Sequence, residues 1–294
     1  MNFDFEQLET LLAVIEAGSF DGAAIDLGIS ASAVSQRMKA LEKRAGTILV
    51  LRSKPVRPTE PGVTVLRYAR QIVSLGRELN THLGEGEHAE TPQRITIGVN
   101  ADSLATWFID VLRELGRRED LICDLRRGDE HRNAELLRKG EVSGVVTTGA
   151  DAVQGCAVQK LGTMRYWAVA STEFIARRGG MAPRDWLAVA PVVIFDRDDP
   201  LQAQLRGRVT GQSTWDGVAT HYVPDSWRYA TAIEAGMGWG MLPELQLRQL
   251  PELHRLDDAW SIEVPLYWQR WSMGSRALDS FGRILMSAAQ AAGL

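Results

Sequence analysis

Residues 20–46 carry the spacing of two short helices joined by a tight turn, and that spacing leaves few other folds open to them. Phe20, Ala23, Ala24 and Leu27 fall at i, i+3, i+4 and i+7, the apolar stripe of the first helix. Gly28 permits the left-handed backbone that ends it, Ile29 can plug the corner, and Ser30 can cap the next helix. In the second helix Val34, Met38, Leu41 and Ala45 form the inward stripe, while Ser32, Ser35, Gln36, Lys39 and Lys43 occupy the other faces. Arg37 lies near the edge. Hydroxyls, an amide and cations on one face suit phosphates and base edges in a major groove. An ordinary helical hairpin with a solvated surface is the plainer reading, but the flanking sequence favours DNA.

Charge supports DNA only when read locally. The whole chain has a net charge of −4, which alone argues against nucleic acid. Between residues 35 and 67, however, Arg37, Lys39, Lys43, Arg44, Arg52, Lys54, Arg57 and Arg67 are opposed only by Glu42 and Glu60. Such an excess is a phosphate footprint, and its binding should weaken steeply with salt. Two prolines and three cations (Arg52, Lys54, Arg57) in residues 52–59 point to a small wing along the DNA backbone. Ahead of the hairpin, Leu8, Leu11, Leu12 and Ile15 predict a helix that packs behind it.

After the wing, Thr59 can cap a long helix with Pro61 in its first turn. Val65, Tyr68, Ile72, Leu75 and Leu79 then repeat at 3, 4, 3 and 4, a heptad seam that favours pairing with a second copy over packing on the chain's own body. The helix should end near Leu83, and the polar stretch 84–92 reads as a hinge.

The 294 residues, 45% of them hydrophobic, can build two or three compact units. No secretory signal is read at the N-terminus, and no segment approaches the roughly 18 apolar residues of a membrane helix. Cys123 and Cys156 lack metal or redox spacing and are expected to be reduced, as in a cytoplasmic protein. The five histidines form no paired-ligand pattern, so neither a metal nor any other cofactor is expected.

Beyond the hinge, strands are predicted at 94–99, 144–147, 165–170, 191–195, 221–223, 240–242 and 262–268. Helices are predicted at 104–115, 133–139, 226–235 and 276–292. This alternation implies α/β layers with mostly parallel sheets.

With these residues laid out, the chain resembles the LysR-type transcriptional regulators over its full length. EAGSFDGAAIDLGISASAVSQRMKALEKRAGTILVLR (16–52) is similar to that family's DNA-binding signature, and GMGWGMLP (236–243) to its glycine-rich strand entry. VNADSLATW (99–107), HYVPDS (221–226) and VPLYWQ (264–269) resemble the ArgP/LysG branch, which is associated with sensing basic amino acids and controlling lysine or arginine export. The resemblance implies a winged helix-turn-helix over 1–60, a linker helix and hinge over 61–92, and a periplasmic-binding-protein-like effector region over 93–294. That region would divide into a subdomain of 93–161 plus 264–294 and a second of 162–263, joined by crossing strands. It further implies a homodimer through the linker helix, a homotetramer built from two dimers, and RNA polymerase as a further partner. In one respect the chain departs from the family: Ala31-Ser32 stand where many members have Gln-Pro, and Gln36 where they have Arg, so no operator sequence can be carried over.

Folds of this kind bind ligands beyond the carboxyl ends of strands. The turn after Val99 is the leading candidate, with Asn100, Asp102 and Ser103 between a strand and a helix, where an anion is favoured. The Ser103 hydroxyl and the Leu104 amide could hold an amino acid's carboxylate, although capping the helix is the commoner role for a residue such as Asp102 or Ser103, and the two roles can coexist. Lysine or arginine also needs carboxylates for its two cationic groups. Of the loop acids Asp129, Glu130, Asp196, Asp198 and Asp225, the favoured ones are Asp129, Asp196 and Asp225. Thr147 can donate from another strand end, and Tyr166, Trp227 and Trp268 can wall the alkyl stem or simply fill the core.

Two rivals stand beside a regulator. An amino-acid-processing enzyme finds little support, because GMGWG follows a helix and precedes a strand, the wrong order for a dinucleotide loop, and no GxSxG occurs. An architectural or replication-origin DNA protein would use the same head without transcriptional control.

Overall fold

The computed structural model describes residues 3–83, 92–272 and 275–294. The expected hinge lies almost wholly outside them. In the head, Asp4 caps α1 (Phe5–Ala17) and Ser19 caps α2 (Phe20–Asp26). Gly28 turns with φ +64, and Ser30 accepts from the Ala33 amide to start α3 (Ala31–Ala45). The inward residues of these three helices close on Leu11, Val34, Met38 and Leu41, all fully buried. Strands β1 (Val50–Leu51) and β2 (Arg57–Pro58) pair antiparallel as the wing. Thr59 then caps α4 (Glu60–Leu83) by accepting from the Gly62 amide at 3.1 Å.

Two faces of α4 do different work. Leu66, Ala69 and Val73 are buried in the head core, whereas Tyr68, Ile72 and Leu79 of the heptad seam stay 48%, 41% and 57% exposed. On a further side, Arg70 donates to the Lys139 carbonyl at 3.0 Å, tying the helix to the rest of the chain.

The second region begins with β3 (Gln93–Val99), α5 (Ala101–Ala105), α6 (Phe108–Leu115), β4 (Leu121–Arg127), α7 (Glu130–Arg138) and β5 (Gly144–Thr147). Then come β6 (Cys156–Ser171), α8 (Thr172–Ala176), α9 (Pro183–Trp186), β7 (Val192–Ile194), α10 (Leu201–Thr210) and β8 (Thr220–Tyr222). It closes with α11 (Ser226–Glu234), β9 (Gly240–Pro243), α12 (Glu244–Leu247), β10 (Leu253–Arg255), β11 (Ser261–Trp271) and α13 (Arg276–Ala291). The main sheet has the order β10-β6-β11-β5-β3-β4, with β9 also on β6.

That sheet is mixed, contrary to the mostly parallel one expected. Among the described residues, parallel strand pairing joins β3 to β4 and β5, and β7 to β8 in a separate two-stranded sheet, with one isolated parallel bridge from Val192 to Trp239. The long strands β6 and β11 run antiparallel to each other, and β5, β9 and β10 pair antiparallel with them. The βαβ pattern in the sequence describes each half but not the two strands that thread both. The expected helix 104–115 is likewise two helices. Thr106 breaks it at φ −125, ψ −106, which lets Trp107 and Phe108 both enter the core. Strand β4, the first half of β6 and α10 carry weak patterns and were not anticipated.

GMGWG is a packing device. A Cβ on Gly238 would sit 2.6 Å from the Pro191 carbonyl oxygen, and one on Gly240 would sit 2.5 Å from the Tyr229 hydroxyl. The same logic governs the joint between wing and linker, where a Cβ on Gly62 would lie 1.9 Å from the Leu49 oxygen. Because that neighbour is backbone, Gly62→Ala is expected to cost about 1–3 kcal/mol and lower the melting point of the head. Gly116→Ala, with nothing nearer than 3.4 Å, is the matched control for thermal denaturation and should stay within about 0.5 kcal/mol.

Candidate functional site

On the head, Ser32, Gln36, Lys39 and Lys43 are exposed along α3, and Ser35 is half-buried beside them. Arg37 is not free, since its guanidinium pairs with Glu6 of α1. At the wing, Arg52, Lys54 and Arg57 are exposed, and the Arg52 guanidinium stacks 5.2 Å from the Phe20 ring centre, bracing the wing against α2. The Glu42 carboxylate accepts from the Leu49 and Val50 amides at 2.9 and 3.4 Å, so it joins α3 to the wing. Its charge is thereby partly spent on backbone, which leaves the face dominated by cations.

The second site forms where β3, β4 and β5 end. Asn100 occupies the N-cap position of α5 but makes no side-chain capping bond, and its Oδ1 is buried without a partner. Ser103 is fully buried, and its Oγ is also unpartnered. Asp102 turns inward. Its Oδ2 accepts from the Tyr166 hydroxyl at 2.8 Å and its Oδ1 from the Ser226 hydroxyl at 2.7 Å. These partners come from β6 and from the first residue of α11, so one carboxylate joins three elements that are distant in sequence. Burial raises the Asp102 carboxyl above the ordinary range, and the two hydroxyl bonds only partly oppose it. Neither Asp102 nor Ser103 is a cap.

The other expected residues divide. Leu104 cannot offer its amide as expected, because that N–H already donates to the Asn100 carbonyl at 3.2 Å. Asp129 and Asp225 are exposed and cap α7 and α11, accepting from the Arg132 and Arg228 amides at 2.7 and 3.0 Å. Asp196 is half-buried and accepts from the Asp198 amide at 2.9 Å. Thr147 is buried, with its hydroxyl accepting from the Gly149 amide at 3.3 Å. Trp268 lies in the core 5.5 Å from Phe281, while Trp227 is largely exposed.

Sequence reading missed Asp199. This half-buried acid accepts from the Leu201 amide at 3.0 Å, and burial raises its carboxyl. Beside it, fully buried Gln202 donates to the Tyr229 hydroxyl at 2.8 Å, leaving its own Oε1 without a partner. Tyr229 in turn accepts from the Met241 amide at 2.8 Å and donates to the Val193 carbonyl at 3.2 Å. The missed signal was available: Asp199 and Pro200 precede α10, a third acid in the run Asp196, Asp198, Asp199.

The arrangement suits recognition rather than reaction. Of these buried unpartnered atoms, Asn100 Oδ1 and Gln202 Oε1 can only accept, which favours a ligand rich in N–H groups. Burial pushes the Cys123 thiol up to about 12 and Cys156 up to about 11, so neither is a ready nucleophile. Among the described residues no His, Cys, Asp and Glu group could hold a metal ion, and no helix is long and apolar enough to cross a membrane.

Known proteins share this architecture. The pattern of the bacterial regulatory helix-turn-helix proteins of the lysR family matches residues 5–63, and that of the LysR substrate binding domain matches residues 88–290. The lysine export transcriptional regulatory protein LysG of Corynebacterium glutamicum is 42% identical over 287 residues, covering 96% of this chain and 97% of its own length. The crystal structure of ArgP from Mycobacterium tuberculosis superposes with a TM-score of 0.88 at 40% identity, with 98% of each chain covered. Full-length LysG of C. glutamicum with arginine bound as effector gives a TM-score of 0.80 at 40% identity, covering 98% of this chain and 99% of that one. A helix-turn-helix head is thus followed by a substrate-binding region in the order of these two patterns, and the chain belongs to the LysR family of bacterial regulators.

Proposed function

We propose that the protein is a sequence-specific transcriptional regulator whose DNA binding is modulated by a basic amino acid, lysine or arginine, and which controls export of such amino acids. The observation that carries the effector reading is Asp102, a desolvated carboxylate with two hydroxyl donors and, among the described residues, no cationic side chain paired with it. A ligand ammonium supplies the missing charge, the unpartnered Asn100 Oδ1 accepts from it, and the Ser103 hydroxyl donates to the ligand carboxylate. LysG of C. glutamicum, with arginine as its bound effector, supports this class of ligand.

On DNA, Ser32, Ser35, Gln36 and Lys39 face the major groove, and Arg52, Lys54 and Arg57 face phosphates. Arg37 orients α3 through Glu6 and lies at the rim of the contact. The exposed seam of α4 pairs two copies, and two dimers form a tetramer whose heads bend the DNA and present it to RNA polymerase. Such a protein works where the chromosome is, in the cytoplasm. Effector binding acts as a population shift, which requires the ligand to bind one arrangement better than another.

Calorimetric titration of the purified protein with lysine and arginine is expected to show saturable binding, with none for leucine. Heat for none of them, or equal binding of leucine, would remove the basic-amino-acid assignment. Ser103→Ala is expected to weaken the effector response about tenfold, the worth of one hydrogen bond to a charged group, with effector-free DNA affinity unchanged. Equal loss of both would count against that role. Arg52→Ala should lower affinity for all DNA sequences alike and flatten the salt slope by about one unit in a filter-binding series. Transcription from a defined promoter that responds to lysine or arginine separates this reading from an architectural or origin-binding protein.

A further inference from the structure

Resting on the basic-amino-acid reading of the site, we propose that Asp199 is the residue that selects for a second cation, while Asp102 takes the α-ammonium. The carboxylate of an amino acid is two bonds from its α-ammonium. Ser103, the only one of these residues with a free hydroxyl donor, is adjacent to Asp102, so Asp102 belongs to the amino-acid head of the ligand. Asp199 enters from another element, at the start of α10, and therefore meets the far end of the side chain.

The two acids share one scaffold. Ser226 and Tyr229 lie three residues apart on one face of α11. Ser226 donates to Asp102, and Tyr229 holds Gln202, the neighbour of Asp199 along α10. Tyr229 also takes the Met241 amide on β9, whose Pro243 is paired with Tyr166, the other donor to Asp102. The Asp102 charge helps raise the Asp199 carboxyl, and both tyrosines feel the two carboxylates.

Gln202 supplies the independent sign of a ligand. It is fully buried, and its Oε1 has no donor, although its Nε2 donates to Tyr229 and its side chain also bonds the Asp199 carboxylate. A free acceptor beside a desolvated carboxylate is satisfied by an ammonium or guanidinium, which brings several N–H groups and a charge. An apolar side chain brings no donor to Gln202 Oε1 and no charge to Asp199, whose neutral donors compensate its burial only in part. The site therefore favours lysine and arginine over norleucine, which is lysine without its terminal nitrogen.

The test titrates the full-length protein with L-lysine, L-arginine and L-norleucine in wild type, Asp199→Asn and Asp199→Glu. Asp199→Asn is expected to lose at least about 30-fold in affinity for lysine and arginine, the ordinary result of removing one partner of a desolvated charge pair. Asp199→Glu keeps the charge and should recover most of that loss, and norleucine should bind wild type and Asp199→Asn equally weakly. Effector-free melting temperatures within about 2 °C of wild type would establish that the losses arise in ligand contact. Lysine affinity unchanged in Asp199→Asn, or equal losses in the Asn and Glu variants, would overturn the assignment while leaving the effector class intact. A wild-type protein that takes up neither lysine nor arginine would overturn both.

Discussion

The antiparallel pairing of β6 with β11 is the constraint on which the ligand region depends. Eleven residues of β11 run along β6, from Ser261 opposite Trp167 to Trp271 opposite Cys156, with one register shift between Leu266 and Tyr267. Strands β5 and β3 extend from β11 on one side, while β9 and β10 extend from β6 on the other. Both halves of the region therefore hang on the same two strands. The requirement for close approach shows in single residues. Gly144 lets the Trp268 ring lie against β5, where a Cβ would meet it at 2.2 Å, and that ring then packs on Phe281 of α13. Tyr166 belongs to this strand pair, so the hydroxyl that reaches Asp102 is fixed by the core and not by a loop.

Placing Asp102 and Asp199 in so dry a setting costs free energy, because a carboxylate taken from water without a counter-charge is poorly compensated by neutral donors. Hydroxyls from Tyr166 and Ser226 recover part of that cost, at roughly 1.5–3 kcal/mol for each hydrogen bond to a charged group. The remainder is a standing preference for a cation. A ligand with two positive groups and one carboxylate draws on that preference twice, whereas a neutral side chain draws on it once. This difference is larger than anything a hydrophobic wall can supply, where one methylene decides only about 1–3 kcal/mol. Trp268, a possible wall in the sequence, is spent on the core instead.

Local signals in the sequence were read well, and long-range ones less so. Gly28, Ser30 and Thr59 announce the turn and two caps, because each acts within a few residues of itself. The strand–turn–helix after Val99 likewise directs attention to Asn100, Asp102 and Ser103, the residues that the fold gathers. What the sequence does not show is which distant donors arrive there. Ser226 comes from 124 positions away, and nothing near it distinguishes it from Asp225, which the fold uses as a surface cap. Asp196 was favoured for following a strand, yet the acid in the drier setting is Asp199, drawn inward by the Leu201 amide at the start of a helix whose pattern is weak. The mixed sheet was hidden for the same reason, since strand direction is set by partners and not by alternation.

One element touches both the ligand site and the head. Helix α7 is capped by Asp129, just beyond the end of β4, and its Asn133 Nδ2 donates to the Gly128 and Val146 carbonyls at 3.1 and 3.4 Å, where β4 and β5 finish. At its other end the Lys139 carbonyl accepts from Arg70 of α4. Gly140, with φ +67, comes so near that a Cβ would lie 2.9 Å from the Arg67 Cα. This short helix thus has one end at the strand termini and the other against the linker. Across α4 from the buried Leu66, Ala69 and Val73 runs the exposed seam of Tyr68, Ile72 and Leu79, which on the proposed assembly meets a second copy. On that assembly, a displacement of α7 would reach the helix that sets the spacing of two recognition helices. A spacing change of that kind is what a small molecule must produce in order to alter how a two-fold regulator holds DNA.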